Sequence, residues 1–270
     1  MTTLKKETSI KSVALMTGAE CEARLVPSTE KGIRFHFNEQ TVEGRVENVV
    51  STEHCTVIGN QNVQIMLIEH FMAACAYSKI DSLDVYLSHF EMPILDGASK
   101  KWIELFEEAG IEETDGVQSY NITEPMSYIN GKTHIVMLPS DKLNITYGVN
   151  FNHPALNHRW VSVNEDFFEI IEARTFGYLK DLEMLQQAGY ARGVSIENTV
   201  GLTDDGFTTE LKSDMEPAKH KVLDLMGDLY LTGINPFYLK TEIIVKEAGH
   251  AVHVKFADLI KDNLREEILK

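Results

Sequence analysis

Apolar and polar positions alternate over several short stretches in the first third of the chain. "ECEARLVP" (20–27) alternates and stops at Pro27, and "IRFHFN" (33–38) puts Ile33, Phe35 and Phe37 on one side. Period-two patterns of this length predict strands with one buried face. "RVENVVS" (45–51), "CTVIG" (55–59) and "SLDVYL" (82–87) read the same way. Between them "VQIMLIEHFMAACAYS" (63–78) is rich in helix formers and apolar nearly all round, which predicts a buried helix. "MPILDGAS" (92–99) carries the Pro, Asp and Gly of a turn, and "KKWIELFEEAG" (100–110) is an amphipathic helix closed by Gly110.

"IEETDGVQSY" (111–120) is polar and unpatterned, and is the best linker candidate. The order of elements then repeats. "HIVMLP" (134–139) and "LNITYGVNF" (143–151) read as strands, and "NEDFFEIIEAR" (164–174), "LKDLEMLQQAG" (179–189) and 216–231 as helices. "TEIIVKEAGHAVHVKFADLIKDNL" follows as strand, turn, and strand or helix. Strands followed by a helix occur twice, without regular βαβ alternation. The prediction is an α+β fold of two similar domains with mainly antiparallel sheets, residues 1–115 and 116–270.

Composition narrows the function classes. Apolar residues make up 43% and charged residues 24%, so an ordered globular protein is expected. The formal net charge of −16 argues against nucleic acid as a partner, which calls for clustered Lys and Arg. The three cysteines, Cys21, Cys55 and Cys75, include no CxxC pair and read as reduced thiols. No run approaches the ~18 apolar residues that cross a bilayer, and the N-terminus lacks the core of a signal peptide. A soluble cytoplasmic protein is the expectation.

The chemistry question centres on "PAKHKVLDLMGDLY" (217–230). On a helix His220, Asp224 and Asp228 share one face, since residues four apart lie one above the other. Two readings stay open. The stripe is the solvated side of a surface helix, which is the commoner case for H-x-x-x-D spacing, or it holds a metal. A catalytic zinc takes three protein ligands and leaves one position for water. His70 is the leading outside candidate, because it sits with Glu69 in an otherwise apolar segment. Burying unpaired charge is costly, so both need partners or a function. "ARTFG" (173–177) offers Thr175 at a possible loop tip beside Gly177. "EAGHAVHVKF" (247–256) suggests a tight turn presenting His250, and His153 in "VNFNHPALNH" (149–158) reads as structural.

Seven stretches in this order resemble one family closely. They are "NVVSTEHCTVIG", "IEHFMAA", "EMPILDGAS", "VNFNHPAL", "ARTFGYLKDLEML", "HKVLDLMGDLYLTG" and "GHAVH". The chain resembles the UDP-3-O-acyl-N-acetylglucosamine deacetylases, zinc amidases of lipid A biosynthesis. The resemblance implies two α+β domains, each a sheet layered on helices, with the site between them. It implies that His70, His220 and Asp224 bind Zn²⁺ (or Fe²⁺) and that Glu69 is the general base. It implies that His250, oriented by Asp228, is the protonated partner, and that Thr175 and Lys221 stabilise the developing oxyanion. Phe176 and Asp181 would contact the substrate, an acylated UDP-sugar. Three departures frame the substrate side: "ALMTG" with Met16 where the family has a histidine, Glu53 at a commonly apolar position, and "GVS" (193–195) with Val194. They leave open a deacetylase for another N-acetylated sugar nucleotide. A non-catalytic binding homologue is the remaining alternative.

Overall fold

The computed structural model describes residues 1–113, 120–164 and 166–268. The predicted boundary between 115 and 116 lies outside these residues. Part of the expected linker is ordered: Ile111–Glu113 is a strand that pairs antiparallel with Thr2–Leu4.

Two sheets organise the molecule, and they share one wiring. The first has the order Thr8–Val13, Glu20–Pro27, Ser82–Leu87, Gly32–Phe37, Gln40–Glu43. The second has the order Met126–Asn130, Thr133–Pro139, Leu239–Lys246, Asn144–Val149, Arg159–Val163, with Tyr120–Asn121 beside Leu239–Lys246. Each sheet places its last strand in the middle, antiparallel to one hairpin and parallel to the first strand of the other. The α+β prediction of two similar, mainly antiparallel units stands. The alternation seen in the sequence is the reason: Cys21, Ala23 and Leu25 are buried while Arg24 faces out.

Helices cover the inner faces. α1 (Glu69–Tyr77) and α2 (Lys100–Ala109) belong to the first half. The second half has α3 (Phe168–Ile171), α4 (Leu179–Gln187), α5 (Glu216–Tyr230) and α6 (His250–Ile268). Phe71 of α1 meets Phe35, Trp102 and Phe106 edge-on, with centroids 4.9–5.8 Å apart. Each such pair adds about 0.5–1.5 kcal/mol beyond area burial. α1 and α5 lie directly against each other. Gly227 makes that approach possible: a Cβ there would fall 2.0 Å from the carbonyl oxygen of Glu69.

Three local expectations are corrected. The helix predicted over 63–78 is shorter. Gln64–Met66 is a strand, Leu67 takes a left-handed φ of 63°, and α1 begins at Glu69. Glu69 and His70 therefore sit in a first helical turn, not in mid-helix. The helix predicted over 164–174 is only Phe168–Ile171. Thr175 is not at a loop tip, because Thr175–Tyr178 is a strand paired in parallel with Thr199–Leu202. The tight turn expected before His250 is present: Glu247 there has φ 52°, and His250 is the first residue of α6.

Candidate metal centre

The face of α5 that bears His220, Asp224 and Asp228 is not solvated. All three are buried, at 4%, 2% and 0% exposure, which decides against the surface-helix reading. α1 faces them and brings Glu69 and His70. His70, His220 and Asp224 each offer one ligand atom, and these atoms lie within 4.8 Å of one another. The two imidazoles meet edge-on at 4.8 Å.

Proton placement shows what this cluster lacks. His220 Nδ1 lies 3.0 Å from the carbonyl oxygen of Ala173, which can only accept, so Nδ1 carries the hydrogen. Burial pushes the His220 imidazole down to about 4, against the pull of Asp224, so the ring is neutral at pH 7. Its Nε2 lone pair then faces Asp224 Oδ1 at 3.3 Å, an acceptor facing an acceptor. The spacing has the form of an ion pair, but a neutral ring cannot make one. His70 Nε2 is 3.6 Å from the same oxygen. Asp224 Oδ1 is also the buried side-chain polar atom without a hydrogen-bond partner among the described residues. The other oxygen, Oδ2, takes Lys221 Nζ at 2.5 Å. Burial opposes ionisation of Asp224, yet the charged Lys221 and His250 beside it hold the carboxyl well below the usual carboxylate range. A cation between two imidazoles and a carboxylate would satisfy the lone pair of His220 Nε2 and Asp224 Oδ1 together, so these residues fit a divalent metal.

A second trio of similar composition behaves differently. Asp228, His250 and His253 also offer ligand atoms within 4.8 Å of one another. Here donors already face an acceptor: the Nδ1 atoms of His250 and His253 lie 2.8 and 2.9 Å from Asp228 Oδ2. Burial opposes ionisation of Asp228, but the two histidines hold it at about 2. Burial likewise opposes charge on His250, and Asp228, Asp224 and Glu69 override it, raising the imidazole to about 9. Its Nε2 points to the centre, 3.8 Å from both Glu69 Oε1 and Asp224 Oδ2. Glu69 is pushed up by burial, with His250 and His70 pulling the other way. An acid and a base of opposite resting charge thus flank one small space.

The remaining predicted residues lie around this centre. Phe176 meets the His220 ring edge-on at 5.8 Å and Phe151 at 5.2 Å. Thr175 and Phe176 open onto a cavity of about 370 Å³ that Met16, Leu182 and Val194 also line. Asp181 lines it from α4, a helix with no buried residue. Glu53 is exposed and does not line the cavity, though its neighbour His54 does. Lys221 Nζ is bonded to Asp224 Oδ2, at the edge of the same space. His153 is buried against the carbonyl of Gly206, in keeping with a structural role. Three buried neighbours carry no signal of their own in the sequence: Thr56, Tyr147 and His253. Tyr147 Oη lies 2.9 Å from His253 Nε2 and donates to Ala248 O at 2.8 Å. The i, i+3 spacing of His250 and His253 was a usable signal once a helix was assigned; Thr56 had none.

Comparison with known proteins agrees with this geometry. The family model described as LpxC, UDP-3-O-acyl N-acetylglycosamine deacetylase, matches residues 1–262. A protein of Leptospira biflexa serovar Patoc named UDP-3-O-acyl-N-acetylglucosamine deacetylase is 36% identical over 272 residues, covering 96% of this chain and 88% of its own length. Proteins of the same name from Geotalea uraniireducens and Nitratidesulfovibrio vulgaris are 33% and 31% identical. They cover 94% and 97% of this chain, and 86% and 88% of their own lengths.

Proposed function

This chain belongs to the UDP-3-O-acyl N-acetylglycosamine deacetylase family, and from that premise we infer that it hydrolyses the N-acetyl amide of UDP-3-O-acyl-N-acetylglucosamine to acetate and a free amine. The reading is of a metal-dependent amidohydrolase. It is supported above all by Asp224 Oδ1, a buried acceptor confronted by imidazole nitrogens. Zn²⁺ is the proposed ion, and Fe²⁺ also suits two imidazoles and a carboxylate. Residues 1–115 and 116–270 are the proposed domains whose junction holds it. We further assign the reaction to lipid A biosynthesis in the cytoplasm. No helix among the described residues is long and apolar enough to cross a membrane.

Amides resist neutral water, so the site must supply a stronger nucleophile and a way out for the amine. His70, His220 and Asp224 would hold the ion, which when bound would supply Lewis acidity for activating water at neutral pH and for the acetyl carbonyl. Glu69 Oε1 takes the proton from the attacking water. His250, protonated and with Nε2 toward the same space, gives a proton to the leaving nitrogen. Asp228 sustains that charge from behind. Thr175 is assigned to the oxyanion, with Lys221, whose link to Asp224 also neutralises the ligand carboxylate. Phe176 walls the space, and the apolar cavity next to it takes the acyl chain, with Asp181 at its rim.

The test is direct. Metal-replete protein given UDP-3-O-acyl-N-acetylglucosamine should release acetate and an amine in equal amounts. A folded, metal-replete sample that releases neither would end this reading.

A further inference from the structure

Thr56 touches both halves of the acid–base pair. It is fully buried, in the bend just before the strand Val57–Gly59. Its backbone N–H donates to Glu69 Oε2 at 3.1 Å. Its hydroxyl donates to Asp228 Oδ1 at 2.5 Å and lies 3.2 Å from His250 Nδ1. We propose that Thr56 is a positioning residue for the deacetylation assigned above, fixing through one side chain and one amide the geometry of both Glu69 and His250.

The proton count makes the assignment specific. An ionised carboxylate only accepts, so the single hydroxyl proton of Thr56 goes to Asp228 Oδ1. Toward His250 the hydroxyl then offers a lone pair, so His250 Nδ1 must be the donor. That N–H is shared between Asp228 Oδ2 at 2.8 Å and Thr56 Oγ1 at 3.2 Å. The other ring nitrogen, Nε2, is left as the atom that exchanges protons in the site. The same logic applies to Glu69. With Oε2 engaged by the Thr56 amide, Oε1 is the oxygen turned to the centre, 3.8 Å from His250 Nε2. Asp228 is anchored by three donors, from Thr56, His250 and His253, and Thr56 is the one on Oδ1. Removing that hydroxyl frees the carboxylate to rotate, and the His250 ring follows it. The backbone bond to Glu69 survives any side-chain change, so the base should stay in place while the acid is lost from register.

The experiment compares Thr56→Val, Thr56→Ala and Thr56→Ser with the active wild type, measuring kcat, KM, bound metal and Tm. Thr56→Val keeps shape and loses the hydroxyl. Its kcat should fall about 10–100-fold, the usual cost of removing a partner that orients a site group, with KM and bound metal unchanged. Thr56→Ser keeps the hydroxyl and should recover most of that loss. Thr56→Ala leaves room for a water on Asp228 Oδ1 and should fall between them, which supplies the reading if the Val variant does not fold. Wild-type kcat in a folded Val or Ala variant overturns the proposal. Equal losses in all three variants, with bound metal falling in step, overturn it too, since that marks packing and not positioning. An inactive wild type would instead strike at the assigned reaction.

Discussion

The two halves of this molecule follow the same wiring and equip the site in opposite ways. In each, a helix that follows both hairpins and precedes the central strand serves the site: α1 in the first half and α5 in the second. α1 reaches the centre with its first turn, where Glu69 and His70 are its first two residues. α5 reaches it with its middle, where His220, Asp224 and Asp228 repeat every four residues. One half places its groups by where a helix begins, the other by the period of a helix already under way. The difference teaches that a stripe of ionisable residues announces itself in a sequence, while an ionisable pair at a helix start depends on a boundary.

The largest expected effect treats the halves alike. His70→Ala, from α1, and His220→Ala, from α5, should each lose the metal and reduce turnover to background. Metal stoichiometry and acetate release check this, and a variant that keeps both would remove its half from the centre. A chelator should do the same to wild type, and added Zn²⁺ should restore it.

The next effect separates the halves. Glu69→Gln should keep its metal and lose about 10²–10⁴ in kcat, the range of general acid–base contributions. Equal bound metal with intact turnover would take the base away from α1.

Stability effects follow and single out the second half. Arg174 donates to both oxygens of Glu216, a fully buried pair at 2.9–3.1 Å that holds the start of α5. Glu216→Ala strands the guanidinium and should cost about 3–5 kcal/mol. Gly227→Ala forces α5 from α1 and should cost about 1–3 kcal/mol, with loss of activity out of proportion. Urea unfolding measures both, and a smaller cost for Glu216→Ala than for Gly227→Ala would reverse the ranking.

The smallest effect is in pH. Burial opposes ionisation of Glu216, but Arg174 and two backbone N–H groups lower its carboxyl below the ordinary value. A lowered carboxyl contributes stability above the unfolded pKa of about 4.3, and loses it as pH falls through the folded value. The gap in urea midpoint between wild type and Glu216→Gln should therefore be constant from pH 7 to 5 and narrow below about 4. A gap that widens with acid would be the wrong sign.

Legibility in the sequence follows the same division. The strand at 20–27 is readable because alternate burial there imposes a period of 2, and the helix at 216–231 because its ionisable residues His220, Asp224 and Asp228 recur every four positions. The segment 63–78 was misread, because an apolar run has no period. Only Leu67, which is left-handed, and Ile68 separate its strand from its helix. Thr175 looked like a loop residue because Gly177 suggested a bend, yet its strand is satisfied by pairing with Thr199–Leu202. Thr56 was invisible, since a threonine before a strand carries no pattern. Its partners, at sequence separations of 172 and 194, are brought in by the fold alone.

Those separations set a timetable for the newborn chain. α1 is made early, but α5 and α6 leave the ribosome more than a hundred residues later. At ~5–20 residues per second that interval is on the order of ten seconds. Until then Glu69 and His70 have no counterparts to close on, and closing so long a loop is the costly step of assembly. Hydrolytic competence is thus among the last properties the polypeptide acquires, and a truncated product that has lost α6 lacks His250 and cannot acquire it.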